Sequence, residues 1–184
     1  MRITELTPTD EVIIQQIAAI LVDGFAENWP GYLADRDAAL NEIRKSFAED
    51  RISLVALEDA EHALGWIGGI SQYSGHVWEL HPLVVAPAQQ GRGVGRALVA
   101  TLEARIRERG GLTVILGTDD VSNQTTLSGV SLLPDPWTHI ARIQNLHRHP
   151  YEFYQKLGYV ITGVVPDANG AGKPDILMAK SLAH

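Results

Sequence analysis

The sequence contains no cysteine, which excludes disulfides, thiolate-held metals and a cysteine nucleophile, so any thiol chemistry has to come from a cofactor. Positive charge is scarce as well: 15 Lys and Arg stand against 22 Asp and Glu, for a formal charge of -7. Binding to nucleic acid or to an anionic membrane needs clustered Lys and Arg to neutralise phosphates, so this balance argues against both and is better matched to a cationic partner. Long apolar runs are missing too. The longest, VIIQQIAAILV (12–22), is broken by two glutamines and is too short to span a bilayer, while MRITELTPTD at the start lacks a basic region followed by an apolar stretch. A cytoplasmic protein with no membrane partner is expected.

No Pro, Gly or Ser linker, repeat or low-complexity tract divides the chain. Its 184 residues, 45% of them hydrophobic, suffice for one domain with a core, expected over 1–184. RITEL (2–6) alternates as a strand. Residues 10–24 have helical spacing, with Val12, Ile13, Ile17, Ile20 and Leu21 on one side and Gly24 as a stop, and a WPGY turn (29–32) leads to a second helix over 35–48. Three strands, at 52–58, 63–73 and 77–85, are joined by connections short enough for hairpins and predict an antiparallel meander. A helix over 94–109 and a strand over 112–118 follow. The stretch 119–150 is polar and holds two prolines, with helix expected near 137–146; a short helix at 151–158 and strands at 159–165 and 175–181 complete the chain. Hairpins mixed with one βαβ crossover give an α+β fold.

The segment WELHPLVVAPAQQGRGVG (78–95) carries the strongest chemical signal. Alternation along the strand puts Glu79 and His81 on one face, with Leu80 and Pro82 on the other. Glu79 is then either a proton acceptor or a surface carboxylate at a sheet edge; His81 either relays a proton, orients Glu79 or sits hydrogen-bonded in a wall. Beyond the strand, Gln90, Gly91, Arg92, Gly93, Val94 and Gly95 open the next helix, a context in which backbone N–H groups converge on an anion. Arg96 stands where a dinucleotide-binding GxGxxG needs its last glycine, and no Gly-Lys-Ser/Thr of a P-loop exists. A tight turn at a helix start is the structural alternative.

The loop fits Q/R-x-x-G-x-G/A through Gln90, Gly93 and Gly95 and resembles the acetyl-coenzyme A signature of the GCN5-related N-acetyltransferases; FYQKLGY (153–159) is similar to their late helix-to-strand motif. WELHPLVV (78–85), LGTDD (116–120), TTLS (125–128), IQNL (143–146), HPYEFYQKLGY (149–159), ANG (168–170), KPDI (173–176) and MAK (178–180) resemble the chromosomal aminoglycoside 6'-N-acetyltransferases of enterococcal type. Before residue 50 the likeness is limited to Trp29 and Pro30. The resemblance implies a mixed, mostly antiparallel sheet flanked by helices, acetyl-CoA as cofactor, a cationic aminoglycoside as partner and a homodimer. It further implies that the N–H groups from Gly91 to Arg96 receive the pyrophosphate and that Leu83, Val84 and Val85 line the pantetheine. Glu79 is then the general base, the N–H of Leu83 the oxyanion donor and Tyr154 the acid for the leaving thiolate, in contact with the cofactor.

Trp29, Glu79, Asp119 and Asp120 become the acceptor-binding candidates, with Asp175 and Asp167 weaker; each aspartate has a solvated-surface alternative. His139, His147 and His149 lack the paired spacing of a metal site, so no metal is expected. Two other readings stay open: acetylation of another polyamine or a protein amine, and an acyl-CoA-binding sensor without turnover.

Overall fold

The structure is a computed structural model that describes residues 1–26, 29, 35–59 and 61–183. Pro30, Gly31 and Tyr32 of the expected turn lie outside the described residues. The chain forms two compact units, one from Met1–Val114 with Leu182–His184, the other Ile115–Ser181.

The first unit opens with β1 (Arg2–Glu5) and α1 (Glu11–Ala26). Ile13, Ile14, Ile17, Ala18, Ile20 and Leu21 form the buried stripe of α1, whereas Val12 is 67% exposed and not part of it. Nor does Gly24 stop the helix. A Cβ there would lie 2.6 Å from Val84 Cγ2, so the glycine serves close packing and the helix runs on to Ala26. Asp35 caps α2 (Arg36–Lys45) by accepting from Ala38 N at 2.8 Å, and the helix ends three residues earlier than the pattern suggests.

The strands β2 (Arg51–Leu57), β3 (Ala63–Gln72) and β4 (Val77–Val85) form the expected antiparallel meander, with β1 added on the outer side of β2. Trp66 is wholly buried in its centre, its indole N–H donating to Ser53 Oγ at 2.9 Å. α1 and α2 cover one face of the meander through a cluster with Val55, Trp66 and Val84. α3 (Val94–Glu108) packs on the other with Leu98, Leu102 and Ile106 buried, Leu102 reaching Gly69 of β3.

The register of β3 against β4 shifts between Ile67 and Gly69: Ile67 faces Leu83 and Gly69 faces Leu80, so His81 and Pro82 together oppose Gly68. This bulge reverses the strand's parity. Glu79, paired with Ile70, and Val84, paired with Trp66, share the α1/α2 face although they are five positions apart. A side chain at Gly68 would collide with the carbonyl oxygen of His81, so glycine lets the bulge close.

The second unit contains most of β5 (Thr113–Asp119), then α4 (Pro136–Ile140), α5 (Tyr151–Gln155), β6 (Val160–Val165) and β7 (Asp175–Ser181). Its strands lie in the order β5-β7-β6, and β6 and β7 pair antiparallel. The helix expected over 137–146 is only α4, capped by Asp135, because the residues after it bond instead to the 124–126 loop, Thr126 N donating to Gln144 O at 3.1 Å and Leu146 N to Gln124 O at 2.8 Å; Trp137 is 61% exposed. Among the described residues the architecture is α+β, seven strands with helices, as expected.

Candidate functional site

Glu79 and His81 are both half-buried on β4, flanked by the buried Trp78, Leu80 and Pro82. Gln72, at the end of β3, donates from Nε2 to Glu79 Oε2 at 3.4 Å, which holds the carboxylate in place. Glu42 of α2 is almost buried and lies with Oε1 3.9 Å from His81 Nε2. Neither Gln72 nor Glu42 was among the sequence candidates. They come from other elements, and only the pairing of β3 with β4 and the seat of α2 bring them to this strand.

Leu83, one residue past the bulge, stands opposite Ile67, with Val84 buried and Val85 half-buried after it. A short 3-10 turn, Pro87–Gln89, then leads into the glycine loop. Gln90 Nε2 donates back to Val85 O at 3.3 Å and Arg92 Nη1 to the Gln89 side chain at Oε1, 2.8 Å away, so side chains of the loop bond within it. Gly91 and Gly93 have φ of +75° and +86°, a left-handed conformation costly to residues with a Cβ, and open space surrounds both Cβ positions. Ala97 N bonds Gly93 O at 3.0 Å; the N–H groups of Val94, Gly95 and Arg96 precede it and have no i−4 partner inside α3. Backbone donors without an intrahelical partner, left-handed glycines and the positive end of a 15-residue helix therefore meet in one loop, an arrangement suited to an anion such as pyrophosphate.

In the second unit Tyr154 is 8% exposed and stacks edge-on against Phe153 and Tyr159, with centroids 5.1 and 5.7 Å away. Burial pushes its phenol well above the ordinary tyrosine range. Asp119 is half-buried at the end of β5; Asn169 of the ANG loop donates to its Oδ1, and its carbonyl accepts from His149 Nε2 at 3.2 Å. His149 Nδ1 accepts from Tyr151 N at 3.2 Å, so Nε2 carries the hydrogen, and burial lowers the pKa of the ring below the usual histidine value.

Asp120 is wholly buried: Oδ1 accepts from Gln124 N at 2.6 Å and Oδ2 from Thr125 N at 2.7 Å. This carboxylate folds its own loop and is not presented to a ligand, contrary to expectation. Asp167, at φ +56°, is occupied similarly by Gly172 N at 2.6 Å. Asp175 is half-buried at the start of β7, its carboxylate over Gly117. Trp29 donates its backbone N–H to Phe25 O at 2.8 Å and packs edge-on against the Phe25 ring. Among the described residues no group of three or more His, Asp or Glu is arranged to hold a metal ion. No helix among them is long and apolar enough to cross a membrane.

A family model described as the Acetyltransferase (GNAT) family matches residues 14–127, from the first helix through the strand and the glycine loop to the end of the Asp120 loop. The chain belongs to the GNAT acetyltransferase family. Solved structures extend the likeness to nearly the full length. One is an aminoglycoside 6'-N-acetyltransferase complexed with coenzyme A, 42% identical over 99% of this chain and 97% of that chain, with a TM-score of 0.89. The aminoglycoside 6'-N-acetyltransferase from Enterococcus faecium is 41% identical over the same shares, with a TM-score of 0.87. An aminoglycoside 6'-acetyltransferase type Ii is 36% identical, again over 99% and 97%, at 0.73. Comparison with curated proteins gives no match. As a GNAT acetyltransferase the chain uses acetyl-CoA as acyl donor, and the mixed, mostly antiparallel fold expected from the sequence is the fold of these neighbours.

Proposed function

We propose that this protein transfers acetyl from acetyl-CoA to the 6'-amine of aminoglycosides in a direct ternary complex. One observation carries the reading: β4 and α3 form a continuous unit with a half-buried Glu79 on the strand and a loop of unpaired helix N–H groups with left-handed glycines at its other end. The near full-length similarity to aminoglycoside 6'-N-acetyltransferases supplies the substrate class.

When bound, acetyl-CoA supplies a thioester carbonyl and a thiol leaving group. The N–H groups from Gly91 to Arg96 hold its pyrophosphate, and Leu83 to Val85 line its pantetheine. An amine arrives as a cation and attacks only once it has lost a proton, which Glu79 accepts directly or through one water. His81 relays that proton or orients Glu79. The Leu83 N–H faces the carbonyl oxygen as it gains charge; Pro82 has no N–H and is excluded from that role. Tyr154, its phenol raised by burial, keeps its proton throughout the working pH range and acts at the departing sulfur as a hydrogen-bond donor, since a thiol of pKa about 8.5 leaves without a strong acid.

For a polycation, Glu79, Asp119 and Asp175 are the candidate anionic groups and Trp29 the candidate aromatic face. In this reading the whole chain works as one acetyltransferase domain in the cytoplasm and forms a homodimer through its C-terminal strands, where β6 exposes Val160 by 61% and Val165 by 43%.

Release of free thiol from acetyl-CoA tests the proposal against kanamycin and tobramycin, a 6'-hydroxyl analogue, spermidine and a lysine-rich peptide. Turnover confined to the 6'-amino compounds is expected, and Glu79→Ala should lower kcat by roughly 10²- to 10⁴-fold with coenzyme A affinity kept. Turnover only with spermidine or the peptide would overturn the antibiotic assignment and leave the chemistry in place. Coenzyme A binding without turnover on any amine would favour a sensor.

A further inference from the structure

Glu42 lies in an unusual place for a carboxylate. It is on α2 between Ala39, Leu40 and Ile43, all buried, and is itself 9% exposed. Burying a carboxylate costs solvation that only a partner returns, and here each oxygen faces a different one. Oε2 accepts from Lys45 Nζ at 3.0 Å, one helical turn on, which fixes the rotation of the carboxylate. Oε1 is thereby turned toward His81 Nε2, 3.9 Å away on β4. The Lys45 side chain is 62% exposed and that of His81 37%, so the carboxylate lies on the inner side of both.

We infer that Glu42 is a positioning residue for His81, holding the imidazole so that Nε2 carries the hydrogen and Nδ1 carries the lone pair. A carboxylate only accepts, so the ring nitrogen that faces it is favoured as the N–H. At 3.9 Å the separation is that of an ion pair and is longer than a direct hydrogen bond, so the field of the charge, or one bridging water, conveys the preference. Two further charged groups stand on the same two elements: Glu79, two residues before it on β4 and held by Gln72, and Lys45, already bonded to Glu42.

The consequence differs from that of an ordinary buried ion pair. His81 sits in the β4 bulge opposite Gly68, so its backbone is fixed from β3 and its ring from α2. Only the histidine's proton then has to move when the strand participates in proton transfer. Whether that movement serves acetyl transfer rests on the function proposed above; the state of the ring does not.

Two measurements separate those statements. Nitrogen-15 NMR of histidine-labelled protein, with the His81 signal assigned by its loss in His81→Asn, reports the tautomer of the free enzyme with no substrate present. The wild type should show the Nε2–H form at a pH where the ring is neutral. Glu42→Ala, acceptable in a helix, should move the signal toward a mixture of tautomers, and Glu42→Gln, which keeps an acceptor oxygen, should restore it in part. In steady-state assays with the 6'-amino substrate, Glu42→Ala should lower kcat by about 10- to 100-fold, the scale for loss of an orienting partner, with KM for acetyl-CoA unchanged and partial rescue in Glu42→Gln. An unchanged tautomer in Glu42→Ala would overturn the inference whatever the rate. A changed tautomer with an unchanged kcat would overturn its link to the reaction. Absence of turnover in the wild type would count against the proposed function alone, because the NMR comparison stands without it.

Discussion

Asp120 accepts the amides of both Gln124 and Thr125 while wholly buried, and its own N–H donates to Pro174 O at 2.9 Å. Its neighbour Asp119 keeps a half-buried carboxylate that meets the Asn169 side chain. In the sequence the two residues are indistinguishable, since alternation sends one in and one out without saying which. Removing the Asp120 carboxylate leaves two buried N–H groups unsatisfied, each worth about 1–3 kcal/mol, so Asp120→Ala should destabilise the protein by roughly 2–6 kcal/mol. Urea unfolding measures this as a lowered midpoint with an unchanged slope; a loss below about 1 kcal/mol would show that the loop does not depend on the carboxylate. Glu79, by contrast, was legible as a candidate from one residue type in one place, an acid in an apolar strand ahead of a glycine loop. Glu42 and Gln72 were not, for each is an ordinary polar residue until a second element arrives beside it.

At the level of the element, α3 and its leading loop were read almost completely, because helix periodicity and left-handed glycines are local properties. The same locality makes them testable. Valine at position 93 would hold a β-branched side chain at φ +86° and shield the N–H groups behind it, although no neighbouring atom obstructs the new Cβ. Gly93→Val should therefore raise KM for acetyl-CoA at least about tenfold, corresponding to about 1.4 kcal/mol, with a smaller effect on kcat. Isothermal titration with coenzyme A checks the binding directly, and an unaltered affinity would remove the loop from the cofactor site. β4 illustrates the opposite case. Its limits at Val77 and Val85 agree with the alternation in the sequence, yet the bulge at His81 and Pro82 returns Val84 to the face of Glu79, and no pattern within the strand announces it. The bulge needs Gly68 on the neighbouring strand, so only the pairing reveals it.

For the molecule as a whole, the buried His149 links stability to pH. Its folded pKa is lowered by burial, so below the unfolded value near 6.5 the unfolded chain binds the proton more readily than the folded one. Stability should therefore fall as pH drops through about 6.5 and level off below the lowered folded value. The exposed His62 acts in the opposite sense. Asp59 raises its pKa through a hydrogen bond, a contribution present at low pH and lost as pH rises through the folded value. Comparing urea midpoints of the wild type and His149→Gln at pH 7.5 and 5.5 isolates the first effect: the wild type should lose more stability on acidification than the variant. Equal losses in both would mean that His149 is not held neutral by the fold.

The sequence by itself determined the order and kind of nearly every element, the α+β class, the glycine loop at the start of α3 and the strand that carries Glu79, because periodicity, turn chemistry and glycine conformation act over a few residues. Tertiary structure decided which polar residues serve the fold and which remain available to chemistry. Asp120 is turned into its loop by the amides of Gln124 and Thr125, Gln72 is set against Glu79 by the pairing of β3 with β4, and Glu42 is brought within 3.9 Å of His81 by the packing of α2, so a carboxylate's use depends on the partners folding gives it more than on its place in the sequence.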